Sequence, residues 1–187
     1  MSMKFVFVIF LSSAVPGLAA TVSFGEVKTA GNGCFGSEKL VTVNEQEGRF
    51  ALPIRVRVNK AAETSFDRKT CNLRIPVKIS SNKKVQLLNL SQVVRVVSYK
   101  GAEINTNLNF GFAGRSGAPL SFSAVTTEDE DSTIQILKHD GIIAESECGR
   151  DAMLTANLSA LVKGNGAQAF LSTGTALINI KVVDCER

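Results

Sequence analysis

The chain has 187 residues, carries 21 Lys and Arg against 17 Asp and Glu for a net charge of +4, and contains 11 Phe, one Tyr, one His and no Trp. That mild basicity falls short of a dedicated nucleic-acid binder. A single histidine builds no His-rich metal site, and so few Trp and Tyr argue against a ring-stacking platform for sugars or bases.

The first residues read as an export signal. Met1 to Lys4 form a short basic start, Phe5 to Leu11 an apolar run, and Gly17-Leu18-Ala19 the small residues that a signal peptidase reads. Residues 1–19 are expected to be removed, with cleavage after Ala19, or after Ala20 as the alternative. Loss of Lys4 lowers the net charge from +4 to +3. The apolar run is much shorter than the roughly 20 residues needed to cross a bilayer, and no later segment replaces it. No cysteine directly follows the cleavage site to carry a lipid. Residues 20–187, about 168 in number, suffice for one sandwich domain that buries its own core. The product is expected to be secreted or periplasmic, with no transmembrane segment.

Beyond the signal the pattern is that of strands. Gly31-Asn32-Gly33 marks a turn. From Arg49 to Val58, Phe50, Leu52, Ile54, Val56 and Val58 fall on one side, with Arg49, Pro53, Arg55 and Arg57 on the other, which predicts one half-buried strand. A short helical turn is expected near 59–66. Cys71, Leu73, Ile75, Val77 and Ile79 then alternate with Asn72, Arg74, Pro76 and Lys78. Pro53 and Pro76 inside these runs predict edge positions or bulges.

Ser80-Ser81-Asn82 is the next turn. Val85 to Tyr99 is apolar on both faces, as in a central strand. Ile104, Leu108, Phe110 and Phe112 alternate with Glu103, Asn105, Asn107 and Asn109; Leu154, Ala156, Leu158, Ala160 and Val162 alternate with Thr155, Asn157 and Ser159. Turns are expected at 114–117 and 164–166, and Ala176 to Val183 forms a last strand that is apolar on both faces. Many strands with short turns predict an all-β fold, an antiparallel β-sandwich, with a barrel as second choice.

Cys34, Cys71, Cys148 and Cys185 include no CxxC pair, and an even count in an exported chain favours two disulfides over metal ligation. Three pairings are possible. Each neighbouring pair would enclose a loop whose closure removes on the order of 4 kcal/mol of unfolded-chain entropy. The residues between them show no internal repeat.

Catalytic patterns are weak. His139 sits in Lys138-His139-Asp140-Gly141, which reads as a solvated strand end or turn, and no Gly-x-Ser-x-Gly elbow exists. A hydrolase using two carboxylates is the catalytic alternative. Glu128, Asp129, Glu130 and Asp131 are the best Ca²⁺ candidates but lack the spacing that wraps one ion, so a solvated loop is favoured. No cofactor is called for.

Arg49, Arg55, Arg57, Arg74 and Lys78 all point away from their apolar faces and would form one cationic stripe if their strands were neighbours. Such a stripe would suit an anionic glycan, lipid head groups or an envelope polymer. The competing reading is protection of an exposed sheet edge by charge.

In chain order, Gly31-Asn32-Gly33-Cys34, Asp67-Arg68-Lys69-Thr70-Cys71-Asn72-Leu73, Tyr99-Lys100-Gly101, Phe110-Gly111-Phe112-Ala113-Gly114, Cys148-Gly149 and a final strand ending in Cys185 resemble a secreted family. That family is catalogued as domain of unknown function 4360 and has members in fungi and some bacteria. The resemblance covers nearly the whole mature chain, and Arg68-Lys69-Thr70-Cys71-Asn72-Leu73 is its most specific piece. Where fungal relatives place aromatics around the third and fourth cysteines, this chain has Glu147 and Asp184. The resemblance implies a secreted, disulfide-bonded β-domain in which Cys34 pairs with Cys71 and Cys148 with Cys185, and it brings no catalytic residue. The sequence reading is an exported, non-catalytic surface- or ligand-binding module, with a structural envelope or matrix component as the alternative.

Overall fold

The computed structural model describes residues 21–34, 41–44, 47–51, 54–59, 65–164 and 166–186. The expected signal at 1–19 lies outside them, as does most of the helical turn expected over 59–66; Ser65 and Phe66 instead open a strand. The described residues contain no helix, and so none long and apolar enough to cross a membrane.

The strands in chain order are β1 (Val22–Phe24), β2 (Lys28–Ala30), β3 (Val41–Val43), β4 (Glu47–Ala51), β5 (Arg55–Val58), β6 (Ser65–Ile79), β7 (Lys83–Tyr99), β8 (Ala102–Phe112), β9 (Arg115–Ser116), β10 (Leu120–Val125), β11 (Glu130–Glu145), β12 (Ala152–Gly164) and β13 (Ala169–Asp184). They form two antiparallel sheets. Sheet A runs β1-β6-β12-β8-β10, with β2 also on β6 and β9 on β8; sheet B runs β11-β7-β13-β4-β3, with β5 also on β13. From β6 to β8 and from β10 to β13 the chain alternates between the sheets, so β6, β7, β11, β12 and β13 pair with strands distant in sequence, while β8 also pairs with β9 and β10, which follow it.

The period-two pattern works as expected. Cys71, Leu73, Ile75, Val77 and Ile79 of β6, and Leu154, Ala156, Leu158, Ala160 and Val162 of β12, are buried on the inner face of sheet A. Val56 and Val58 of β5 and Val85, Leu87, Val94 and Val96 of β7 are buried in sheet B. Phe50 of β4 meets Phe110 of β8 edge to face with ring centroids 4.6 Å apart, joining the two layers.

Two expectations need correction. The single strand predicted over 49–58 is divided into β4 and β5, which pair with different stretches of β13, Thr175–Asn179 and Leu171's neighbourhood from Ala169 to Ser172. At the division Ile54 donates to the Thr173 hydroxyl at 3.1 Å and accepts from the Thr173 N–H at 3.0 Å, and β13 is itself irregular there. Pro76 lies neither on an edge strand nor at a bulge, since β6 has neighbours on both sides. It falls in the gap where β1, paired with 77–79, gives way to β2, paired with 72–74, so its missing N–H disrupts no ladder. Its carbonyl still accepts from the Gly25 N–H at 2.7 Å. Pro53 lies outside the described residues.

The disulfides are Cys34–Cys71 and Cys148–Cys185, as the family resemblance implies. The Gly-Asn-Gly turn explains the first. Asn32 accepts from the Thr70 N–H at 2.8 Å and donates to the Arg68 carbonyl at 3.2 Å, so its carboxamide continues the ladder on β6 where β2 ends. Gly31 has φ +123, and a Cβ there would stand 2.2 Å from the Thr70 carbonyl oxygen, so only glycine brings the turn this close. Cys34 is thereby delivered to Cys71. The second bridge closes around the β6–β7 turn: Gly149 donates to the Lys83 carbonyl at 2.8 Å and Cys185 to the Asn82 carbonyl at 2.9 Å.

Burial separates the two bridges. Cys34 and Cys71 are 7% and 0% exposed, whereas Cys148 is exposed. Under mild reduction of the native protein, alkylation and mass mapping should find Cys148 and Cys185 modified first. Prior modification of Cys34 or Cys71 would contradict this. Replacing Cys34 and Cys71 together by Ser should cost about 4 kcal/mol in denaturant unfolding.

Glu145 ties β11 to β7. Its carboxylate accepts from Lys84 Nζ at 3.0 Å and from the Gln86 amide, and these bonds, Lys84 first, hold its pKa below the usual carboxylate value. A depressed folded-state pKa stabilises above the unfolded value and loses that contribution as pH falls through the carboxylate range to the folded pKa. Glu145→Gln should therefore lower stability near neutrality by at most about 1 kcal/mol for this partly exposed pair. The gap to wild type should shrink in acid; a gap that widens there would contradict the assignment.

Candidate ligand-binding face

In a strand, alternate residues share a face, and the register aligns them across neighbours. Outward-facing residues of sheet A therefore stand in rows. One row holds Lys28, Arg74 and Thr155. The next holds Asn72, Asn157 and Asn109, followed by Thr70, Ser159, Asn107 and Ser121. Arg68, Leu161, Asn105 and Ser123 follow, and Phe66, Lys163, Glu103 and Val125 close the sheet at that end. At the opposite end Lys78 is paired with Ser23.

Asparagine is disfavoured in strands, yet five occupy the centre of this face. The side chains of Asn72, Asn105, Asn107, Asn109 and Asn157 make no hydrogen bond among the described residues. Lys28, Arg68, Arg74 and Lys78 are exposed and make no ion pair there either. Glu103 is the one acid in these rows, and Lys163 holds it at 3.1 Å. The face thus offers uncompensated positive charge beside uncommitted carboxamides that both donate and accept. A shallow depression of about 640 Å³ lies between Lys28, Asn72, Arg74, Thr155 and Asn157. A second, of about 660 Å³, shares Arg74, Thr155 and Asn157 and extends toward Arg115 and Ser116.

The five cations of the expected stripe are not brought together. Arg74 and Lys78 lie on sheet A, whereas Arg49, Arg55 and Arg57 project outward from β4 and β5 of sheet B. The cause is the pairing of β5 with β13 rather than with β6. Among the described residues β5 and β6 are joined at the flank by the bond from the Arg57 N–H to the Asp67 carboxylate at 3.0 Å. Lys28 and Arg68 take the place of the three arginines. Sequence reading passed over both, together with the asparagine row, because strand neighbours were not known. The outward alternation of Asn105, Asn107 and Asn109 was the available signal.

The acidic run does not converge. Glu130 and Asp131 are successive residues of β11 and point to opposite faces, and among the described residues no three His, Cys, Asp or Glu side chains gather as a metal site would require. His139 lies within β11 opposite Leu90 rather than in a turn. Elsewhere Glu147 is bound by Arg115 at 3.2 Å and Arg150 at 2.9 Å, and Asp151 accepts from the Ile79 N–H at 3.0 Å.

A search of curated proteins gives no match. Among solved structures, the chain aligns with TmCBM61 in complex with β-1,4-galactotriose at 13% identity and TM-score 0.28, covering 86% of this chain and 89% of that one. It aligns with a family 11 carbohydrate-binding module from Clostridium thermocellum in complex with a β-1,3-1,4-mixed-linked tetrasaccharide at 8% identity and TM-score 0.28, covering 72% and 96%. A CocE/NonD family hydrolase from Staphylococcus aureus aligns at 10% identity and TM-score 0.32, over 70% of this chain and 37% of that one. At these scores the likenesses carry no argument about ligand or activity. What is shown is the family: domain of unknown function 4360 matches residues 20–183, and the chain belongs to that family.

Proposed function

We propose that this protein is an exported, non-catalytic binding module whose outer sheet A face takes an extended, hydroxyl-rich anionic polymer, an acidic glycan being the class that fits. The observation that carries this reading is the row of Asn72, Asn157 and Asn109, whose carboxamides have no partner among the described residues, beside the cations Lys28, Arg68 and Arg74, which make no ion pair there. Carboxamides match sugar hydroxyls, which likewise donate and accept. The cations match carboxylate or sulfate groups.

Geometry favours an extended ligand over a single small anion. From Arg68 to Arg74 the face runs roughly 20 Å along β6 at the usual rise per residue. Recognition here rests on hydrogen bonds and charge, with no tryptophan in the chain to stack on a sugar ring. Two disulfides suit an oxidising compartment, where such polymers are met.

Calorimetric titration with a uronic-acid oligosaccharide and its neutral counterpart tests the proposal. The acidic sugar should bind at least about tenfold more tightly than the neutral one. Lys28→Ser with Arg74→Ser should weaken binding and flatten its salt dependence, because exposed charges are screened over about 8 Å at physiological ionic strength. Asn72→Ala with Asn157→Ala should weaken it while leaving the salt slope intact. Equal affinity for both sugars, or binding indifferent to all four substitutions, would remove the assignment.

A further inference from the structure

The free edge of sheet B carries different chemistry. Among the described residues β11 pairs only with β7, and its pairing is regular from Glu130 to His139, after which the register shifts. Beyond that shift the Ala118 N–H reaches the Ile143 carbonyl at 3.4 Å, so the far end of the strand is covered. The stretch from Glu130 to Lys138 is left as an open, regular edge with Ile134 at its centre.

The outer face at the centre of that stretch is apolar and lies between charged ends. Ile134 and Ile136 are 67% and 61% exposed, and Val93, opposite Ile136 on β7, is 40% exposed. All three are on the outer face. The charges at the two ends are opposite in sign, Glu130 at one and Lys138 at the other.

We propose that two copies of this chain join edge to edge through β11, continuing sheet B across a two-fold axis at Ile134. Residues directly opposite in an antiparallel pair share a face, so a two-fold pairing preserves the outer face only when outward residues meet outward residues. Centred on Ile134, the register sets Ile134 against its own copy, Ser132 against Ile136, and Glu130 against Lys138 at both ends. Thr133 meets Gln135 on the inner face, and the one mismatch is Asp131 opposite Leu137. Moving the axis to Gln135 would set Glu130 against Asp140, a repulsion that disfavours the alternative. The centred register also fuses Ile134, Ile136 and Val93 of both copies into one apolar strip. This pairing is independent of the ligand face, which lies on sheet A.

Sedimentation velocity on the protein with both disulfides intact is the test. Wild type should be dimeric at about 100 µM, and Ile134→Lys monomeric at the same concentration, melting cooperatively near the temperature of wild type diluted until it dissociates. Glu130→Lys and Lys138→Glu should each weaken the dimer at least about tenfold, and the double variant Glu130→Lys/Lys138→Glu should restore it. A monomeric wild type overturns the proposal. So does a dimer that tolerates both single charge reversals, or one that the double reversal does not recover.

Discussion

The edge-to-face contact of Phe50 with Phe110 is the constraint around which the two sheets are arranged. These rings come from β4 and β8, strands on either side of the sandwich, and each has an alanine as its register neighbour on a central strand: Ala176 of β13 beside Phe50 and Ala156 of β12 beside Phe110. Large side chains set beside small ones let the two layers interdigitate at normal packing density. β12 and β13 are the centres of their sheets and also the last strands of the chain. The core therefore depends on pairings that no local segment can form alone, which places the fold among the slower topologies. Gln92 shows a local cost of this arrangement, since its amide is buried inside sheet B with no partner among the described residues.

The cysteine bridges act at the margins of this core rather than at its centre. One pins the N-terminal turn onto β6; the other gathers the β6–β7 turn, the β11–β12 turn and the end of β13. Both join segments whose separation in the unfolded chain opposes the long-range pairing, so each limits the entropy that β12 and β13 must overcome. The short motifs shared with the family have a structural meaning here. Asn32 and Gly31 dock on the backbone of Arg68 and Thr70, next to the cysteine that the turn must reach.

Alternation made β6, β8 and β12 legible from sequence because each buries one face, and the period of two records that burial directly. Val85 to Tyr99 was legible as central for the complementary reason, its apolar residues on both faces. Pairing was not legible. Ile54 and Thr173 are far apart in sequence, and their mutual hydrogen bonds mark where one predicted strand becomes two. The same limitation hid the site: Arg57 and Arg74 have the same alternating environment in sequence, and only the pairing of β5 with β13 separates them. Asn72, Asn109 and Asn157 read singly as ordinary outward polar residues. Their alignment into one row is a property of β6, β12 and β8 lying side by side.

Sheet A presents cations and carboxamides that have no side-chain partner among the described residues, whereas the edge of sheet B presents isoleucines flanked by opposite charges, so the proposed glycan and the proposed second copy would use different surfaces. Amide chemical-shift mapping with an acidic oligosaccharide tests this division most directly. Perturbations that follow Asn72, Arg74, Asn109 and Asn157 and spare β11 and β13 are the predicted result. Perturbations concentrated on sheet B, around Arg55 and Arg57, would contradict it.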